Sequence, residues 1–139
     1  MRKLSVLVLS ALVLILITSV AVARPPYRLV AIDQFHLVPD KDSTRTVGCQ
    51  YCHVNPGGGA PWNPFGDLVR SNLKTTINQA LYDALAANKD SDGDGYADAL
   101  EVFAGTLPGD PNSKPLVSAD FLMQSFTKAG GLELYKPKQ

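Results

Sequence analysis

Hydrophobic and polar positions follow a helical period in three stretches of the chain, at about residues 64–73, 76–88 and 119–128. In each stretch apolar side chains recur three and four positions apart, which is typical of a helix with one buried face. These side chains are Phe65, Leu68, Val69 and Leu73, then Ile77, Leu81, Ala84 and Leu85, and finally Leu122 and Phe126. We therefore predict a mainly α-helical domain.

Polar residues stand where these helices should begin. Asn63 precedes Pro64, which gives an N-cap residue followed by proline at the first helical position. Thr76 can cap the second helix, and Ser118 can cap the last. The stretch 24–48 has apolar residues without a long period, so we predict only a short extended or single-turn element there.

The first 23 residues have a different pattern. Arg2 and Lys3 precede a long apolar run, which ends in the small-residue sequence Ala21-Val22-Ala23. This order predicts a secretory signal peptide, residues 1–23, that is cleaved after Ala23. An uncleaved membrane anchor is the alternative, because the run approaches the roughly 20 apolar residues of a membrane span. We expect one exported domain, residues 24–139, in the periplasm or outside the cell, with no membrane span after cleavage.

The mature domain would have 116 residues (139 − 23) and a nearly balanced charge. Without Arg2 and Lys3 it keeps 11 basic side chains (13 − 2) against 13 acidic ones. Since there is no basic surplus, we expect no nucleic-acid partner. The two cysteines of an exported chain would ordinarily pair in a disulfide. Here they are only two residues apart and a histidine follows them, which favours another use.

The sequence Cys49-Gln50-Tyr51-Cys52-His53 is the Cys-x-x-Cys-His attachment signature of c-type haem. At this spacing two thiols can add to the two vinyl groups of one porphyrin, and imidazole suits iron as a ligand. A redox dithiol should lie near a βαβ pattern, which the sequence lacks. A zinc site would need more cysteine or histidine, unless carboxylates joined in. We therefore predict covalent haem c on Cys49 and Cys52, with His53 as an iron ligand.

The pattern leaves the sixth iron ligand open. Met123 is the only methionine of the mature chain, and His36 is its only other histidine. We favour Met123, although on a predicted helix it is equally well explained as a core side chain. His36 lies 17 residues before His53 (53 − 36), so a local loop could bring it over the ring. The third alternative is an open sixth position.

Residues 90–101 match the twelve-residue EF-hand calcium loop. Positions 1, 3, 5, 7, 9 and 12 are Asp90, Asp92, Asp94, Tyr96, Asp98 and Glu101. Tyr96 would ligate through its carbonyl, Asp98 directly or through water, and Glu101 with two oxygens. Five carboxylates this close repel one another unless a cation lies among them. We therefore predict a Ca²⁺ site between two helices; a solvated acidic loop is the alternative.

The first of these motifs extends into a resemblance. Residues 49 to about 68 are similar to small exported monohaem c-type cytochromes, whose motif is followed by glycines and then by an Asn, aromatic and Gly pattern. The matching residues are Asn63, Phe65 and Gly66. The resemblance implies a small cytochrome c-like helical fold around one haem. In many such proteins a proline carbonyl accepts a hydrogen bond from the proximal imidazole, a role open here to Pro56 or Pro61.

The second motif has its own resemblance. Residues 90–111 are similar to thrombospondin type 3 and dockerin-like calcium repeats. Two departures stand out: Leu107 replaces the usual Asp, and the repeat occurs once instead of in tandem. We therefore expect a structural calcium site and not a signalling pair.

These predictions favour an electron carrier over an enzyme. We expect one-electron transfer with redox partner proteins outside the cytoplasm, with haem c and Ca²⁺ as cofactors. One alternative is a haem enzyme or sensor with an open sixth position, for which no distal acid–base pair is identifiable. The other is a calcium-dependent interaction module in which haem only stabilises the fold. The sequence leaves the oligomeric state open.

Overall fold

The computed structural model describes residues 25–37 and 47–138. This part of the chain contains six α-helices and no β-strand, so the predicted mainly α-helical class is confirmed. The helices are α1 (Pro25–Gln34), α2 (Val47–Gln50), α3 (Pro64–Asn72), α4 (Ile77–Ala86), α5 (Asp98–Ala104) and α6 (Ala119–Ala129), followed by a 3₁₀ helix (Gly131–Tyr135). The predicted signal peptide lies outside the described residues. None of the described helices is long and apolar enough to cross a membrane.

The three helices predicted from hydrophobic period are α3, α4 and α6, and each begins at the expected cap. The Asn63 side chain accepts from the Gly66 amide. The side chains of Thr76 and Ser118 accept in the same way from amides three residues further on. These bonds satisfy amide groups that a helix N-terminus leaves without an intrahelical partner.

The prediction of a short extended or single-turn element before the Cys-x-x-Cys-His motif was wrong, because ten residues there form α1. This helix is stabilised by contacts with distant parts of the chain and not by a regular apolar stripe. The Gln34 amide donates to the carbonyl oxygens of Asn78 (2.9 Å) and Tyr135 (2.8 Å). Phe35, just beyond the helix, is 2% exposed.

Helix α4 lies at the centre of the domain. It packs against α1, α3, α5 and the 3₁₀ helix. Its buried face consists of Ala80, Leu81, Ala84 and Leu85. Fully burying a leucine side chain stabilises a fold by about 1.5–3 kcal/mol, so this short helix contributes much of the core.

A group of buried aromatic rings joins the end of α1 and the 3₁₀ helix to the Cys-x-x-Cys-His motif. The ring of Phe35 lies 6.0 Å from Tyr51 of the motif, 6.3 Å from Phe65 of α3 and 5.9 Å from Tyr135. Tyr51 and Phe65 are completely buried. The motif is thus anchored in the core through its central tyrosine.

Candidate haem and calcium sites

The Cys-x-x-Cys-His motif forms one tight turn at the end of α2. The amides of Cys52 and His53 both donate to the Cys49 carbonyl, at 3.1 and 2.9 Å. Both cysteines are free thiols. The glycine run returns beside them, since a Cβ at Gly58 would lie 3.7 Å from Cys49 Sγ and 3.8 Å from His53 Cδ2. The Cys49 sulfur and the His53 imidazole therefore lie beside the same glycine, and Cys52 belongs to the same turn.

The surroundings of the Cys52 thiol disfavour its ionisation. Burial, and secondarily the neighbouring Cys49, raises the pKa of the Cys52 thiol to about 12. Because the thiolate is the nucleophilic form of cysteine, the Cys52 sulfur is a poor nucleophile in the folded motif.

The His53 imidazole is held by ring stacking. Its ring centroid lies 4.2 Å from that of Trp62, at an interplanar angle of 36°. The backbones of the two residues form an isolated antiparallel bridge. The guanidinium carbon of Arg70 lies 5.7 Å from the Trp62 ring. Trp62, which is 36% exposed, therefore contacts the proposed iron ligand and also reaches the surface.

The hydrogen bond that the imidazole would donate to a proline carbonyl is not formed among the described residues. The Pro61 carbonyl instead accepts from the Val54 amide at 3.2 Å. His53 Nδ1 is buried and lacks a hydrogen-bond partner within the described ranges. A buried polar atom of this kind is costly unless an acceptor, a water or a metal meets it. The imidazole thus retains bonding capacity that the protein part of the structure does not use.

Helix α3 packs its first turn directly on the motif. The Asn63 side chain, 3% exposed, donates to the carbonyl oxygens of Gln50 (2.9 Å) and Tyr51 (3.2 Å). The Asn63 amide donates to the Cys52 carbonyl at 3.1 Å. At Gly66 a Cβ would collide with the Cys52 backbone, lying 2.8 Å from its Cα. The sequence predicted Asn63 as a helix cap and as part of the cytochrome-like pattern, but not its bonds to the motif, which depend on this close approach.

The two candidates for the sixth ligand lie in other surroundings. Met123 is 43% exposed and lines a cleft of about 360 Å³ with Leu85 and Phe126, and the cleft lining includes no residue of the motif. His36 Nε2 lies 3.0 Å from the Leu134 carbonyl oxygen. The structure therefore brings neither side chain into contact with His53 in the ranges it describes, and the sixth ligand stays a prediction.

The predicted calcium loop lies between α4 and α5 and is wrapped around its own carboxylates. Asp90 Oδ2 accepts from the Gly95 amide at 2.9 Å, across the turn. Asp92 Oδ1 accepts from the Asp94 amide, and Asp94 Oδ1 accepts from the Tyr96 amide. One carboxylate oxygen from each aspartate lies within 4.8 Å of the other two. This spacing suits a single hard cation that takes oxygen ligands.

Three buried carboxylate oxygens around this loop have no hydrogen-bond partner in the described part of the chain. They belong to Asp92, Asp94 and Glu101. The side chains of Asp94 and Glu101 are 0% exposed. The ammonium of Lys114 is 4.0 Å from Asp94 Oδ2 and donates to the Asp94 carbonyl instead. Buried negative oxygens without donors are stable only with a proton or a cation beside them.

The pKa values of two loop carboxyls reflect this crowding. Burial, with the charges of Asp92 and Asp94, raises the pKa of Glu101 to about 9. Burial also raises the pKa of Asp98 to about 6, against two hydrogen bonds from Ser91 that lower it. Without a cation, Glu101 is therefore protonated at neutral pH. A divalent cation at this point would displace that proton.

Asp98 has a structural task that the loop pattern did not reveal. Its Oδ1 accepts from the Ser91 amide at 2.8 Å, and its Oδ2 accepts from the Ser91 hydroxyl at 2.7 Å. The predicted ligand at position 9 thereby joins the beginning of the loop to the beginning of α5. Tyr96, at position 7, is fixed by its hydroxyl, which donates to the Val117 carbonyl at 2.9 Å.

Comparison of the chain with protein-family models, with curated proteins and with solved structures found no match.

Proposed function

We propose that the protein is an exported c-type cytochrome that carries one covalent haem and passes single electrons between partner proteins, with a structural calcium ion. The observation that carries this proposal is the tight turn of the motif, which brings two free cysteines and a histidine into one hydrogen-bonded turn. Bound haem would supply the one-electron iron couple, while the protein supplies ligation, burial and electrostatics.

Each residue of the motif would have a separate task. Cys49 and Cys52 would form thioether bonds, which keep the group attached to a domain too small to enclose it. His53 would give an imidazole nitrogen to the iron. Trp62 covers the face of that imidazole and limits the access of water to it.

The calcium loop would support this site from a distance. Asp90, Asp92, Asp94 and Glu101 would give carboxylate oxygens to the ion, and Tyr96 its carbonyl. Support comes from the partnerless buried oxygens of three of these carboxylates. Asp98 would contribute through its bonds to Ser91, which close the loop.

The test of haem attachment uses the full chain, expressed together with haem-attachment machinery. We expect the purified protein to keep its haem on a denaturing gel and to show the mass of one added haem. The double variant Cys49→Ala/Cys52→Ala should be colourless. Gly57→Ala is the matched control, because a Cβ there meets no atom within 4 Å. Colour that is lost on denaturation would contradict covalent attachment.

A haem sensor or enzyme with an open sixth position is the second candidate. It is favoured by the position of Met123, whose cleft is lined by no residue of the motif. If Met123 is the ligand, the oxidised protein should show a methionine–iron charge-transfer band that Met123→Ala removes. If His36 is the ligand, His36→Ala should change the spectrum instead. An open position predicts that neither variant alters the spectrum and that the reduced protein binds carbon monoxide.

A further inference from the structure

We propose that Asn63 positions the haem-attachment motif and is itself held by the segment that follows the calcium loop, so that calcium binding and haem attachment are coupled. This inference rests on the proposed function. The sequence patterns predicted the two sites separately. The structure joins them through one pair of buried residues, Asn63 and Gly109.

The Asn63 side chain forms hydrogen bonds with the motif. The last carbonyl groups of a helix have no intrahelical partner. In α2 the carbonyl of Gln50 is such a group, and the carbonyl of Tyr51 is the next one along the chain. The Asn63 side chain donates to both, while its Oδ1 accepts from the Gly66 amide at 2.7 Å. One buried amide group therefore fixes the start of α3 and the end of α2 at the same time.

The Asn63 side chain also lies against Gly109. A Cβ built at Gly109 would lie 2.6 Å from Asn63 Oδ1 and 2.7 Å from Asn63 Nδ2. Both distances are shorter than van der Waals contact. Only glycine at position 109 therefore leaves enough space for the Asn63 amide group. Gly109 is buried, as is Pro108 before it. The amide of Asn63 is thus enclosed between the motif and this glycine.

Gly109 is connected to the calcium loop through Thr106 and helix α5. Helix α5 carries Glu101, the last residue of the loop. The Thr106 amide donates to the Glu101 carbonyl at 2.9 Å, and the Thr106 hydroxyl donates to the same carbonyl at 3.3 Å. Only two residues separate Thr106 from Gly109. The position of Gly109 therefore follows that of α5.

These contacts give a physical reason for coupling. Without calcium, the carboxylates of the loop repel one another and α5 loses its anchor, so Gly109 no longer confines Asn63. With calcium, α5 and Gly109 are fixed, and the motif is presented in its attachment geometry. Because coupling between two binding events is reciprocal, an ordered motif must strengthen calcium binding by the same factor. We expect a factor of at least about five, the lower end of typical values.

The experiment compares variants of the full chain, expressed with haem-attachment machinery. Gly109→Ala adds the methyl group that displaces Asn63, and Gly57→Ala adds a methyl group in open space. Neither glycine is a proposed ligand. We expect Gly109→Ala to lower the haem-loaded fraction, measured by mass spectrometry, at least threefold, and Gly57→Ala to leave it unchanged. In the haem-loaded protein, calcium should raise the unfolding midpoint of the haem absorbance in wild type and much less in Gly109→Ala.

Asn63→Asp removes the hydrogen bonds to the motif but keeps the helix cap. This variant tests the proposal if Gly109→Ala does not fold. Aspartate keeps the oxygen that accepts from Gly66 but loses the donor to Gln50 and Tyr51. We expect this variant to keep its helix content and to bind calcium at least fivefold more weakly in titration calorimetry of the haem-loaded form.

The outcomes are distinct. The proposal is overturned if Gly109→Ala and Gly57→Ala load haem equally and calcium shifts their midpoints by the same amount. It is also overturned if Asn63→Asp binds calcium as tightly as wild type. In both cases the covalent haem of the wild-type protein would still support the proposed function. A wild-type chain that acquires no haem would instead overturn the proposed function itself.

Discussion

We predict that the Glu101→Gln variant is more stable than wild type when calcium is absent and less stable than wild type when calcium is present. In the absence of calcium, burial and the neighbouring aspartates raise the pKa of Glu101 to about 9. Between the unfolded-state pKa, 4.5, and this value, the folded chain holds a proton that the unfolded chain releases. The unfolded state then binds fewer protons, so the free energy of unfolding falls as the pH rises.

The size of this effect follows from the number of protons involved. One proton changes the free energy of unfolding by about 1.4 kcal/mol per pH unit at most. Asp98, with its pKa raised to about 6 mainly by burial, adds a slope of the same sign at lower pH. Glutamine has nearly the shape of glutamate and does not titrate. In chelator, Glu101→Gln should therefore lose most of the slope above pH 6 and be more stable than wild type at pH 8.

With calcium the order should reverse. A ligand that binds only the folded state stabilises it by about 2.7 kcal/mol at a hundredfold excess over its Kd. For a domain of this size that corresponds to a rise in Tm of roughly 10 °C. Extracellular calcium modules bind at roughly 10⁻⁴–10⁻³ M, so tens of millimolar calcium are needed. Glu101→Gln lacks a charged oxygen at position 12 and should gain far less.

The assay is a series of thermal melts of the haem-loaded protein between pH 5 and 8.5, with chelator and with calcium. Glu133→Gln is the control, because the Glu133 side chain is 67% exposed and pairs only with Lys136. Surface pairs of this kind contribute little, so its curves should follow those of wild type. Parallel pH curves for wild type and Glu101→Gln in chelator, together with equal gains from calcium, would refute the reasoning.

Three further substitutions test the packing around the motif. Gly66→Ala should abolish haem loading, since its Cβ would lie 2.8 Å from Cys52 Cα; mass spectrometry against Gly57→Ala checks this. Trp62→Ala should expose the His53 imidazole and lower the reduction potential of the haem-loaded protein, because water favours the more highly charged oxidised iron. Trp62→Phe should retain most of the wild-type potential. Voltammetry measures both variants. Leu81→Ala, at a side chain 1% exposed, should cost about 2–5 kcal/mol in urea unfolding, against less than about 0.5 kcal/mol for the fully exposed Leu116→Ala.

Local patterns predicted the parts of the fold that are stabilised locally. Helices α3, α4 and α6 have apolar stripes and side-chain caps, which act over three or four residues. Helix α1 has no such stripe. It is fixed by Gln34, whose partners lie 44 and 101 residues away, and no local window contains them.

The same distinction applies to the candidate sites. The spacing of the cysteines and of the loop carboxylates is a local property, so the sequence could place both motifs. The bonds of Asn63 to the end of α2 and its contact with Gly109 depend on how separate segments meet. The candidates for the sixth ligand, Met123 and His36, follow from residue type, and the sequence leaves the choice open. Sequence could not reveal that Met123 lines a cleft between α4, α5 and α6.

The raised pKa of Cys52, about 12 because of burial, has a consequence for the fate of the free thiol. The thiolate is the reactive form of cysteine, and a thiol of this pKa is almost entirely protonated at neutral pH. The folded motif therefore makes the Cys52 sulfur slow to oxidise and slow to pair with Cys49 in a disulfide. In an exported chain this sulfur would stay reduced until a vinyl group reaches it.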